Sequence, residues 1–167
     1  MDSYLSPEMK STGEAIGYDR SLKRALYKSL QASGMTVSNY GTVFVTIGDN
    51  DKERALPLIK RFYGLGFNIE ATRGTAEFLR KNGVRTRLMK KLSEGSDDIM
   101  KSLRQGHVSY VINTMELGAD HSHRDGYNIR RAAVDNNITV FTSLETVEVL
   151  LDVLEDITMK VSTIDED

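Results

Sequence analysis

The sequence predicts an α/β fold of three layers, α/β/α, built on a five-stranded parallel sheet. Three observations carry this. Short β-branched or apolar runs recur along the chain, among them Val43-Phe44-Val45-Thr46, Tyr110-Val111-Ile112-Asn113 and Thr139-Val140-Phe141. Stretches with helical spacing of apolar residues lie between them. Gly, Asn and Asp punctuate the junctions. Strands alternating with helices imply right-handed crossovers and a parallel sheet covered on both faces.

Taken in order, the first strand is Val43 to Thr46, followed by the turn-forming Gly48-Asp49-Asn50. A helix follows, with Asp51 as N-cap and Ala55, Leu58, Ile59 and Phe62 on one face. Pro57 removes a backbone donor inside it, which predicts a bend or a later start. Gly64 and Gly66 close it. Phe67 to Ala71 reads as the second strand, Thr75 to Lys81 as a short helix, and Arg85 to Met89 as a weaker third strand. Asp97 to Arg104 is a helix stopped by Gly106, and Tyr110 to Asn113 a buried strand. Asp125 to Asp135 is a helix, Thr139 to Phe141 the last strand, and Leu144 to Leu154 an amphipathic helix packed by Val147, Leu150, Leu151 and Leu154. Ahead of this pattern, Leu22, Ala25, Leu26 and Leu30 mark a leading helix. Behind it, the polar and acidic residues 158–167 read as a tail that frays.

The composition suits one globular unit: 167 residues, 40% hydrophobic and 28% charged, enough to bury a core. The net charge of −2 provides no global basic field for nucleic acid or an anionic membrane. Any anion must therefore be gripped locally. With no cysteine, a disulfide framework, a thiolate metal site and a thiol nucleophile are excluded. The first residues lack the basic and apolar regions of a secretory signal, and no apolar run reaches the ~20 residues of a membrane span. The expectation is a cytoplasmic protein.

Open parallel sheets bind ligands outside the carboxyl ends of their strands. Here those ends carry Thr46 followed by Asp51-Lys52, then Thr72-Arg73-Gly74-Thr75, Lys90-Lys91, Asn113-Thr114 and Thr142-Ser143. Small hydroxyls, an amide and lysines along one edge are what a phosphate with a polar headgroup needs. Gly74 would let the backbone approach a ligand. Thr75 reads equally as the N-cap of the next helix. Other features read as ordinary structure. His121-Ser122-His123 is a solvated loop pair rather than a metal site, Asp97-Asp98 complements a helix dipole, and Arg130-Arg131 is a helix face. Neither a Walker loop nor a dinucleotide-binding glycine fingerprint occurs.

At these residues the chain resembles the C-terminal end of the large subunit of bacterial carbamoyl phosphate synthetase. Ser6-Pro7-Glu8-Met9-Lys10-Ser11-Thr12-Gly13-Glu14-Ala15-Ile16-Gly17 is similar to the segment that closes that family's second ATP-grasp unit. Asp19 to Gly34 looks like the lead-in helix, so residues 1–40 are expected to be that tail and helix. Residues 41–157 look like the Rossmann-like, methylglyoxal synthase-like allosteric domain.

The resemblance implies a regulatory piece of a glutamine-hydrolysing ligase of arginine and pyrimidine biosynthesis. That piece is not an enzyme alone and carries no cofactor; ATP, magnesium and potassium belong to the parent. It also implies a nucleotide effector, UMP, UTP or IMP, and as partners the rest of the large subunit and the glutaminase small subunit, with no nucleic acid or membrane. Carried over residue by residue, the effector contacts fall on Thr46, Lys52, Thr72, Thr75, Lys91, Asn113, Asp125 and Ser143. Met115 stands where some members have a hydroxyl, which puts base or ribose recognition in question. The alternative is a methylglyoxal synthase-type lyase acting on dihydroxyacetone phosphate. Its carboxylate base would fall at Ser96, with Asp97 one step away, and its histidine at Ser122.

Overall fold

The computed structural model describes residues 40–91, 94–114 and 120–166, together with Ala25 and Lys28; at 120–125 and 159–166 it describes the backbone alone. The segment with the ATP-grasp resemblance, Met115 and the side chains of Asp125, His121, Ser122 and His123 lie outside the described residues.

Five strands form one sheet: β1 (Thr42–Thr46), β2 (Asn68–Thr72), β3 (Thr86–Met89), β4 (Val108–Asn113) and β5 (Thr139–Phe141). The helices are α1 (Lys52–Gly64), α2 (Arg73–Lys81), α3 (Asp98–Arg104), α4 (Asp120–Asp135) and α5 (Leu144–Glu166). All pairings are parallel and the strand order is β3-β2-β1-β4-β5. The chain first builds outward from β1 to β3, then crosses back and builds the other way through β4 to β5. Right-handed crossovers in opposite directions lay their helices on opposite faces. Accordingly α1 and α2 share one face, joined by α5, while α3 and α4 cover the other.

Each face has its own core. On the first, Val43, Val45, Ile69, Ala71, Tyr110, Ile112 and Phe141 meet Ile59 and Phe62 of α1, Leu79 of α2 and Val147, Leu150 and Leu154 of α5. On the second, Phe44, Met89, Val108 and Val111 meet Ile99 and Leu103 of α3 and Ile129 and Ala133 of α4. Alternate residues of β1 serve opposite cores, as the two-residue period of a strand requires. Arg61 joins α1 to α5 with bonds of 2.9 Å to Asp152 and 2.6 and 3.0 Å to Glu155. The two carboxylates raise its guanidinium pKa above the ordinary value, mainly through the Glu155 bond. Among the described residues no helix is long and apolar enough to cross a membrane.

The elements predicted between Val43 and Leu154 are all present, with shifted bounds; the predicted leading helix, Ala25 and Lys28 apart, lies outside the described residues. α1 runs unbroken through Pro57 from Lys52, so no later start occurs. Asp51 is its N-cap by position, but its side chain makes no capping bond. β4 begins two residues before the expected Tyr110, α4 five residues before Asp125, and α5 continues past Leu154 to Glu166.

Gly41, just ahead of β1, adopts φ +117°, and a Cβ there would lie 2.2 Å from the Ser109 hydroxyl, itself bonded to the Tyr40 carbonyl. Only glycine meets both demands. Gly41→Ala is expected to lower stability by about 1–3 kcal/mol in chemical denaturation. Adding Ser109→Ala should recover only part of that loss, because it removes the clash but not the positive φ.

Candidate functional site

The order β3-β2-β1-β4-β5 reverses at β1, and the helices that follow β1 and β4, α1 and α4, lie on opposite faces; such a switch point is where open parallel sheets form their binding crevice. Thr46 and Asn113 end these strands as register partners, both buried. The Thr72 hydroxyl, at the end of β2, donates to the Thr46 hydroxyl at 3.3 Å. Thr75 is not the N-cap of α2. That helix starts two residues earlier than expected, at Arg73, with Thr72 in the N-cap position and no side-chain capping bond. With the Thr72 hydroxyl turned to Thr46, the Thr75 hydroxyl accepts the Ile47 N–H at 3.2 Å and ties α2 to the end of β1. The first turn of α2 therefore presents its N–H groups without a side-chain cap, the arrangement that favours an anion.

Lys52 supplies a charge beside this turn. Its ammonium lies 3.4 Å from where a Cβ on Gly74 would sit, which places the charge directly beside the first turn of α2. The Lys52 side chain is only 18% exposed and pairs with the exposed Asp49. The hydrogen bond and charge of Lys52 hold the Asp49 carboxyl below its ordinary range, and Lys91 adds to the effect. Both lysines thus act on one carboxylate. Lys91 is positioned by Glu94, which accepts the Lys91 N–H at 3.0 Å and binds Arg73 of α2 at 3.1 Å. The same two partners, the Lys91 N–H first, lower the Glu94 pKa.

Asn113 is fixed from α4, donating to the Gly126 carbonyl at 3.1 Å. A Cβ on Gly126 would come within 3.3 Å of that amide nitrogen, so α4 approaches β4 this closely because it has glycine there. Thr114, one residue beyond β4, donates its N–H to the Thr46 carbonyl at 3.1 Å. Its hydroxyl is buried with no hydrogen-bond partner among the described residues. An orphaned buried hydroxyl at the mouth of a crevice is an available donor.

Of the residues singled out from sequence, Thr46, Lys52, Thr72, Thr75 and Asn113 line the carboxyl ends of β1, β2 and β4, with Lys91 close enough to act on Asp49. Ser143, two residues beyond β5, is engaged locally: its hydroxyl accepts the Thr146 N–H at 3.4 Å and meets the Thr146 hydroxyl at 3.0 Å, as an N-cap of α5. Asp49 and Glu94 are absent from the residues singled out from sequence, and Thr114 is placed on the edge there but not among the effector contacts. Asp49 and Thr114 sat in or beside the segments named from sequence, but nothing in the pattern marked the ion pair or the orphan.

The family model for the MGS-like domain matches residues 54–142, which span α1 to β5. The chain belongs to the MGS-like domain family. Thr72, Thr75, Lys91 and Asn113 fall inside the matched span of this MGS-like domain, while Thr46 and Lys52 precede it and Ser143 follows it by one residue. Elsewhere in the domain, Asp97 is the N-cap of α3, and its carboxylate is 60% exposed and 3.6 Å from Lys101. The Ser96 hydroxyl accepts the Asp98 N–H at 3.1 Å. No group of three or more potential metal ligands occurs among the described residues.

Removing an unpaired buried hydroxyl while keeping its shape stabilises a protein. Thr114→Val should raise stability by about 1 kcal/mol in urea denaturation, where loss of a satisfied hydroxyl would lower it. The Glu94 clamp has a depressed carboxyl, so its contribution is fully present above the ordinary carboxylate pKa of 4.5 and is lost as pH falls through the lower folded value. Chemical shifts of the Lys91 loop should therefore move together with the Glu94 carboxyl signal below that pH, and Glu94→Gln should abolish the coupling.

Proposed function

We propose that this MGS-like domain is a regulatory module that binds the phosphate of a nucleotide at the carboxyl edge of its sheet. On this reading it is the allosteric domain of the large subunit of a carbamoyl phosphate synthetase. The observation that carries the reading is the uncapped first turn of α2 with the Lys52 ammonium held over Gly74. Helix N–H groups and a point positive charge are the common elements of phosphate sites. The hydroxyls of Thr46, Thr72 and Thr75 surround that turn, and Asn113 and Thr114 face it across the switch point. The sequence similarity of residues 6–17 to the end of an ATP-grasp unit supports the parent enzyme.

In such a module, binding changes the activity of the attached domains only if the nucleotide prefers one of their states. The phosphate engages Lys52, Lys91 and the α2 turn, and the ribose or base extends toward Asn113 and Thr114. Asp49 competes with the phosphate for Lys52, so the empty site is kept electrostatically quiet. UMP, UTP or IMP is the expected effector, and the cytoplasm the expected setting.

The lyase reading needs a carboxylate base beside the phosphate. Asp97 is an exposed helix cap paired with Lys101, which is the setting of a surface acid, and it favours binding over catalysis.

Isothermal calorimetry with UMP, UTP and IMP should give saturable binding to at least one of them. Lys91→Ala should weaken it about 10- to 100-fold, the value of a charge-assisted phosphate contact. Asp49→Asn should instead strengthen it roughly two- to fivefold by removing the competitor for Lys52. No heat with any of the three nucleotides, or phosphate release from dihydroxyacetone phosphate, would overturn the proposal.

A further inference from the structure

The opposite edge of the sheet carries a second constellation. A cavity of about 520 Å³ opens at the amino ends of β1 to β4, lined in part by Tyr63, Asn68, Arg85, Arg87, Gln105 and His107. It lies roughly a strand's length, about 15 Å, from the crevice at the carboxyl edge. Its size is within the range of small-molecule sites.

Its floor holds an ionisable group in an unusual place. Glu70 sits within β2 and is 4% exposed. One carboxylate oxygen accepts the Ser102 hydroxyl at 2.6 Å, and the other lies 3.1 Å from His107 Nε2 and 3.9 Å from Arg87. Ser102 and His107 are themselves 3.1 Å apart. This is no nucleophilic triad. The Ser102 hydroxyl donates its hydrogen bond to the carboxylate, and both groups meet the same ring nitrogen, so no relay runs from carboxylate through imidazole to hydroxyl.

A buried carboxylate is seldom the most stabilising choice at a sheet position, because an apolar side chain avoids its desolvation. What Glu70 does achieve is placement. Its two oxygens are occupied by Ser102 and His107, which locks the imidazole into the cavity wall and draws Arg87 alongside. Arg87 faces Glu70 across the β2–β3 pair, with 74% of its side chain exposed. Arg85, two residues earlier, lines the same wall and makes no ion pair among the described residues. Two guanidinium groups against one carboxylate leave the lining net positive. Amides of Asn68 and Gln105 add donors, and the Tyr63 ring and Ile69 supply apolar surface.

We propose that this groove is a second ligand site, for a small molecule bearing a carboxylate or phosphate. Arg85 and Arg87 fork onto the oxyanion, and Glu70 is a positioning residue that acts through His107 and Arg87. Planar, paired N–H donors are the geometry that singles out such groups from a diffuse ionic atmosphere.

The test is an NMR titration of the ¹⁵N-labelled full chain with inorganic phosphate and, separately, with succinate, at physiological salt. Saturable shifts should appear at the amides of Asn68, Arg87 and His107 with one or both probes, and the probe that saturates tells phosphate from carboxylate. These shifts are read apart from any at Thr72 to Thr75 and Lys91, so failure of the nucleotide reading would leave them standing. Arg85→Ala with Arg87→Ala should weaken the amino-edge response more than about tenfold. The double lysine variant, which keeps the charge and loses the fork, should weaken it as well. Shifts that never saturate with either probe, or that are unchanged in the double lysine variant, would overturn the proposal by reducing the groove to a diffuse positive field.

Discussion

Everything in this molecule depends on the reversal of strand order at β1. Because β1 is built upon in both directions, its alternate side chains must serve two cores, and Val43 and Val45 pack on one face while Phe44 packs on the other. The same reversal sends the chain after β1 toward α1 and the chain after β4 toward α4, on opposite faces. No side chain has to be removed to make the crevice at Thr46 and Asn113. It follows from handedness, and the sequence needs only to furnish it with polar groups that the packing can tolerate.

That furnishing is economical. Thr46, Thr72 and Thr75 are buried hydroxyls that satisfy one another and the Ile47 N–H, so they cost the empty domain little. Each hydroxyl can still rotate to meet a ligand. The charged members are handled differently. Lys52 is neutralised by Asp49, while Lys91 is held through its backbone N–H by Glu94 and has no ion pair among the described residues. The exception is Thr114, whose hydroxyl has no partner among the described residues. Among the described residues, then, this is the one buried hydroxyl of the carboxyl edge left as a spare donor.

Much of this was legible in the sequence, and the reason is locality. β-branched runs, glycine stops and the ends of strands can be read within a window of a few residues, and they suffice to place Thr46, Lys52, Thr72, Thr75 and Asn113 on one edge. Errors arose where distant residues decide. Thr75 looked like a cap because the sequence around it is cap-like. The structure gives its hydroxyl to Ile47, 28 residues away, and lets α2 begin at Arg73. Glu70 read as one more strand residue, and its partners Ser102 and His107 lie 32 and 37 residues further on. No periodicity announces such a meeting.

The contrast between the two edges sharpens the functional reading. At the carboxyl edge, the positive groups are gathered by fold geometry that any open parallel sheet shares, so their presence argues for a ligand but says little about which one. At the amino edge, no general rule calls for a binding site. There the buried Glu70, Ser102 and His107 cluster has to be explained on its own terms, since a hydrophobic trio would pack the junction of β2, α3 and β4 at lower electrostatic cost. A carboxylate that organises an imidazole and an arginine along an open groove is accounted for if the groove is used. The two edges together would then allow one small domain to read two ligands through a single sheet, with β2 carrying Glu70 at its centre and Thr72 at its carboxyl end.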